Sequence, residues 1–221
     1  HVINTHLMVH RLRVLEIHVM ILVYTYYICS DLSARVHCAN IVAKASRISN
    51  MIHRCFLSKN SDLKVMAFKS YVLPILEYSS VVWNPHCIID IQNIENVQRR
   101  FTKRLLFKSG MSYDERLSKL VLQRLELRRI HNDLIYTFRI VKHKILSPND
   151  FYASPPPSIT RSSHRNVFYI PKFSTDSDGM KYSFSVRSTK LWNTLPENVK
   201  NSVSEKKVSK TIYSILILVH F

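Results

Sequence analysis

Between residues 41 and 55 the side chains Ile41, Ala45, Ile48, Ile52 and Cys55 recur at alternating steps of four and three. In a helix of about 3.6 residues per turn that interval returns each side chain to one flank, so the pattern predicts an amphipathic helix beginning near Ser33. Lys44, Arg47 and Arg54 fall off the stripe, as solvent-facing positions should. Ser58, Lys59, Asn60 and Ser61 make a polar break, and Ser61 is the expected N-cap of a second helix. That helix passes through Phe68 and Tyr71 toward Pro74. There the missing N–H and the bulk of the ring predict a kink or an end. Trp83-Asn84-Pro85 reads as a firm stop.

A further helix is predicted over Ile88 to Leu106. Its inner face carries Ile91, Ile94, Val97 or Gln98, Phe101 and Leu105. At 100° per residue, Arg99, Arg100, Lys103 and Arg104 gather on the opposite flank. Ser112-Tyr113-Asp114-Glu115 has the spacing of a capping box, in which the serine hydroxyl and the glutamate carboxylate satisfy each other's backbone N–H. A short helix to Leu120 follows. A longer one, from about Gln123 to Ile145, is expected to turn Ile130, Leu134, Phe138, Val141 and Ile145 inward.

Pro148, Pro155, Pro156 and Pro157 then break the helical pattern, and three consecutive prolines favour a stiff extended connection. Val167 to Ile170 reads as a short strand and Ser174 to Gly179 as a loop. Ser183 to Asn193 reads as a helix ended by Pro196, and the apolar tail Ile212 to Phe221 fits strand or helix. Ile17 to Ser30 is apolar and uncharged but too short for a membrane-crossing helix, which needs about 20 residues. A buried strand is the favoured reading there, ahead of a signal-peptide core. The expected fold is therefore mainly α, with one or two short strands. Residues 1–30 form an apolar segment, 31–146 a helical domain, 147–166 a Pro-rich linker and 167–221 a smaller, looser unit.

Composition sharpens this picture. The 221 residues carry a formal charge of +17, and 46% are hydrophobic. That apolar content supports a packed core. The charge exceeds what solubility requires and favours a polyanionic partner, nucleic acid ahead of an anionic membrane surface. From Gln98 to Lys144 thirteen Lys and Arg face four acids. Cations along helix faces suit a phosphate backbone, since each neutralised phosphate releases counterions, and such contacts position a strand without reading bases. The plainer explanation is a solvated face with pairs such as Glu126–Arg129. Tyr113, Tyr136, Phe138, Tyr152, Phe168 and Tyr169 are candidates for stacking on bases, although most fall at core positions.

Catalytic chemistry is poorly represented. Two-metal phosphoryl transfer needs carboxylates converging on cations about 4 Å apart, and the one adjacent acidic pair, Asp114-Glu115, is explained by capping. Asp176-Ser177-Asp178-Gly179 resembles part of a calcium loop, but Ser185 stands where its bidentate glutamate should be. Cys29, Cys38, Cys55 and Cys87 never form C-x-x-C, so buried reduced thiols are expected rather than a zinc site or disulfide framework. His37 beside Cys38 lacks a second pair at ligand spacing. With only Gly110 and Gly179, a glycine-lined phosphate cradle is excluded. The absence of an N-x-S/T sequon suits an intracellular setting, cytoplasmic or nuclear.

Several short motifs stand in a specific order. Ser30-Asp31-Leu32-Ser33 and Ile41-Val42-Ala43-Lys44-Ala45 precede Arg54-Cys55-Phe56, Leu76-Glu77-Tyr78 and Val82-Trp83-Asn84-Pro85. Ile94-Glu95-Asn96-Val97-Gln98-Arg99-Arg100-Phe101-Thr102-Lys103, Tyr113-Asp114-Glu115-Arg116-Leu117 and Leu125-Glu126-Leu127-Arg128-Arg129 come next. Phe184, Arg187 and Leu191-Trp192-Asn193-Thr194-Leu195-Pro196 close the series. Over roughly Ser30 to Val208 this order resembles the region downstream of the palm in non-LTR, jockey-like retrotransposon reverse transcriptases.

The resemblance implies a helical thumb-like domain over 31–146 that holds RNA or a template–primer duplex beside the palm. It implies a parent RNA-directed DNA polymerase that uses a divalent metal, Mg2+. The palm's aromatic–Ala–Asp–Asp turn and the upstream aspartate are missing from the sequence, as is an endonuclease domain, so no catalytic residue is carried over and no cofactor is expected. With His1 in place of Met, the chain reads as a fragment whose further partners are the missing palm and fingers. The residues expected to meet phosphates are Arg99, Arg100, Lys103, Arg104, Arg128 and Arg129. Trp83 and Trp192 are expected as packing anchors. The alternative is a protein-interaction or structural remnant; a membrane-associated product is a weaker third.

Overall fold

A computed structural model of the chain describes residues 34–56, 60–143, 145–148, 151–152 and 181–219. Among them the fold is mainly α, with ten α-helices, one 3-10 turn and no strand. The readings of residues 1–30, of the strand at 167–170, of Phe168 and Tyr169 as stacking residues, and of the partial calcium loop lie outside the described residues.

The first half of the chain holds α1 (Arg35–Cys55), α2 (Ser61–Tyr71), α3 (Leu73–Glu77), α4 (Ser80–Trp83), α5 (Ile88–Leu105) and α6 (Tyr113–Lys119). α7 is Leu125–His143; α8 (Phe184–Thr194), α9 (Glu197–Lys200) and α10 (Glu205–Val219) follow. α10 settles the ambiguous tail as helix as far as Val219. The Pro74 signal is met by a break at Val72, with the proline in the first turn of α3 where its lost N–H costs nothing. The cap of α2 is Asn60 rather than Ser61: its Oδ1 accepts the Asp62 N–H at 2.8 Å. The capping box of α6 forms as expected, with the Ser112 N–H donating to Glu115 Oε2 at 2.6 Å. Those hydrogen bonds hold the Glu115 carboxyl below its usual range.

The residues divide into two compact units, Tyr27–Asn132 and one that takes in Asp133–Phe221. The division falls inside α7, not at the prolines. In the second unit Phe151 and Tyr152, which precede the triple proline, pack with Ile140 against Tyr136, Leu146 and Phe184. The Tyr152 hydroxyl lies 3.3 Å from Thr137 Oγ1 and 3.2 Å from Ser188 Oγ. Arg187 donates to the buried Asp133 carboxylate through Nε at 2.8 Å and Nη2 at 3.2 Å. Aromatic packing and this ion pair thus bind the second half of α7 to α8. Trp192 is buried here, and Trp83 in the first unit, as packing anchors should be.

In the first unit α1 packs most extensively against α5, and also against α2 and α3. The buried line of α1 runs Cys38, Ile41, Ala45, Ser49 and Ile52. Ile48 is half-buried and Cys55 exposed, so the stripe turns slightly away from the expected one at its end. Burial pushes the Cys38 thiol up to about 12, with Asp90 adding to the shift, so this sulfur is the buried, inert thiol expected, whereas Cys55 is exposed and Cys87 half-buried. Phe68 of α2 stacks on Phe101 of α5 at 4.3 Å between ring centroids. Ile94, Val97, Gln98 and Phe101 all lie inside, matching the predicted inner face of α5.

Candidate nucleic-acid interface

α5 is polarised along its length. Asp90 and Glu95 in its first half are buried, whereas Arg99, Arg100, Lys103 and Arg104 in its second half are exposed. Cations in a last turn are favoured by the helix dipole, which accounts for Lys103 and Arg104. Arg99 and Arg100 sit a turn earlier and need another reason.

A polar network buried beneath this flank fixes it in place. The Glu95 carboxylate accepts the Tyr113 hydroxyl and the Leu125 N–H, the latter at 2.9 Å. Gln98 Nε2 donates to the Tyr113 hydroxyl oxygen at 3.1 Å and to the Gln123 carbonyl at 2.7 Å. One cluster therefore ties α5 to α6 and to the start of α7. Burial raises the Glu95 carboxyl above its usual range, opposed by the hydrogen bonds from Tyr113 and Leu125. Burial, then the neighbouring Glu95 charge, raises the Tyr113 phenol. The Arg99 guanidinium lies over the Tyr113 ring, 4.6 Å from its centroid. The Arg116 guanidinium lies 5.6 Å from the centroid of the same ring and donates to the Met111 carbonyl at 2.7 Å.

Two open clefts adjoin the cationic flank. One, of about 370 Å³, is walled by Ser46, Ser49 and Asn50 of α1 and by Arg100, Lys103 and Arg104 of α5. Arg104 Nη1 donates to Asn50 Oδ1 at 2.5 Å, which holds its guanidinium at the edge of this cleft. The other, of about 420 Å³, is lined by Arg99, Lys103, Met111, Tyr113 and Arg116. Lys103 and Phe107 border both. Among the described residues no carboxylate lies within ion-pair distance of Arg99, Arg100, Lys103 or Arg104.

Two of the six arginines and lysines expected to meet phosphates belong elsewhere. Arg129 is 1% exposed, and the α7 positions one turn either side of it, Leu125 and Asp133, are buried too. Its Nε donates to Asn84 Oδ1 at 3.1 Å, while Nη1 and Nη2 are buried without a hydrogen-bond partner. Desolvation lowers its pKa, with Glu95 and Glu126 pulling the other way. Such a group cannot reach a phosphate outside. Arg128 is half-buried and clasps Glu77 of α3 with both Nε and Nη2, the latter at 2.8 Å from Oε2. Spreading its charge over a neighbouring carboxylate leaves it little for an external anion. The buried stripe of α7 is wider than the predicted one, and Ile145 beyond its end is exposed. The wider stripe takes Arg129 inside and leaves Arg128 half-buried.

None of the described stacking candidates is exposed. Tyr113, Phe138 and Tyr152 are buried and Tyr136 is half-buried against Phe184. His53, which the sequence does not single out, tilts against Phe101 at 4.7 Å and has a buried, unpartnered Nε2. Burial lowers its pKa, and the Arg104 and Lys64 charges lower it further. Among the described residues no cluster of three or more His, Cys, Asp or Glu is placed to hold a metal ion, and no helix is long and apolar enough to cross a membrane.

Compared with family models, curated proteins and solved structures, the chain matches none.

Proposed function

We propose that this chain is the post-palm, thumb-like part of a non-LTR retrotransposon reverse transcriptase, a non-catalytic unit that grips RNA or a template–primer duplex by its phosphates. Four exposed cations, Arg99, Arg100, Lys103 and Arg104, on one flank of α5 beside two open clefts carry the reading. Repulsion among like charges on consecutive turns costs stability in the free protein, and a polyanion relieves it. The ordered motifs between Ser30 and Val208 supply the parentage. The carboxylates and Mg2+ of DNA synthesis then belong to the palm, and this chain contributes only grip and position. Titration of labelled RNA with the full chain tests the grip. Binding should weaken steeply with salt and should depend on these four side chains.

A second reading, docking on a protein surface, is favoured by Ile88 and Ile89, which are 69% and 62% exposed at the start of α5. It expects little affinity for RNA at low salt, so the same titration separates the two.

A further inference from the structure

Phe107 stands where the cationic flank ends. α5 closes with the Leu106 N–H on the Thr102 carbonyl at 3.0 Å, and the 3-10 turn Phe107–Ser109 follows. The Ser109 hydroxyl returns to the Leu106 carbonyl at 2.7 Å, and Gly110, at φ +64°, reverses the chain in the left-handed region that favours glycine. This tight turn presents the Phe107 ring to solvent: the residue is 78% exposed. The ring borders both clefts, and of the exposed aromatics among the described residues it alone does so.

Resting on the reading above, we infer that Phe107 is a stacking platform for an unpaired base. Arg100 and Arg104 take the phosphates on one side of the ring, Arg99 on the other, and Lys103 stands between them, so this surface prefers single-stranded RNA to duplex. A phenyl ring between cations is the pairing that single-strand sites use: the charges follow the backbone and the ring accepts any base face. In a duplex both faces of every internal base are covered by neighbouring pairs, and the ring has nothing to stack on. The Ser46 hydroxyl and the Asn50 amide in the same cleft offer hydrogen bonds to ribose without reading the base.

The test uses the full chain and two labelled probes, a short oligouridylate and a blunt RNA duplex of equal length. Phe107→Ala should weaken oligouridylate binding about tenfold and leave the duplex within about twofold, with an unchanged circular dichroism spectrum. Phe107→Trp should restore oligouridylate binding, and its indole fluorescence should be quenched by the RNA. Equal affinity of Phe107→Ala and the parent chain for oligouridylate would overturn the stacking role, as would an equal loss on both probes. Gln at all four cationic positions should reduce binding of both probes. If that variant binds normally while Phe107→Ala does not, the stacking site stands and the phosphate grip fails; if the parent chain binds neither probe at low salt, both are overturned.

Discussion

Replacing Arg99, Arg100, Lys103 and Arg104 together by Gln gives a prediction whose size follows from the structure. Gln keeps much of the side-chain length and has a helix propensity close to that of Arg and Lys, so α5 should persist. The four groups have no carboxylate partner among the described residues, so no buried acid is stranded. The direct losses are the Arg104–Asn50 hydrogen bond at the surface and the stacking of the Arg99 guanidinium on the Tyr113 ring. Each phosphate neutralised on a single strand contributes about 0.7 to the slope of log K against log salt, so four contacts contribute about 2.8. Between about 50 and 200 mM salt that part of the affinity alone falls about fifty-fold. Fluorescence anisotropy titrations across that range should show the slope of the variant shallower by nearly this amount. A residual slope should remain, since the substitutions remove four of a formal +17. Arg128→Gln is the internal control. It should leave the slope alone, because Glu77 already holds that guanidinium, and should lower the urea midpoint instead. A quadruple variant whose slope stays within about 0.5 of the parent chain's would refute the assignment.

Three further outcomes concern the scaffold. Tyr113→Phe removes a hydroxyl donor from the buried Glu95 carboxylate and should cost about 2 kcal/mol in urea unfolding; a loss below about 0.5 would show the network to be dispensable. His53 has a folded-state pKa depressed below its ordinary 6.5, so the unfolded chain takes up the proton first as pH falls. Its contribution is therefore intact above about 6.5 and declines as pH drops from there toward the folded value. His53→Phe should flatten this part of the stability–pH curve, and an unchanged curve would exonerate His53. Val121 sits at φ +50° just past α6, where Leu122 N–H reaches the Leu117 carbonyl at 2.9 Å and Val121 N–H the Ser118 carbonyl at 3.2 Å. A helix end of this hydrogen-bond pattern favours glycine. Val121 is exposed, so Val121→Gly should raise stability by about 1 kcal/mol, and a lower unfolding midpoint would contradict the strain.

The sequence alone was enough to place the longer helices and several of their ends. The four-and-three spacing set the faces of α1 and α5, Ser112 and Glu115 set the start of α6, and Pro74 and Pro196 set breaks. All of these arise between residues within about a turn of one another, and the cationic flank of α5 followed from the same periodicity. Tertiary structure alone decided which cations face water. Arg128 meets Glu77 across 51 positions and Arg187 meets Asp133 across 54, while Arg129 is enclosed by its surroundings. The exposure of Phe107 and the division of the chain within α7 were settled the same way. A local pattern records that a side chain is charged or apolar. Whether it ends in solvent, in an ion pair or in the core depends on what distant segments bring beside it, and neighbouring residues carry no trace of that.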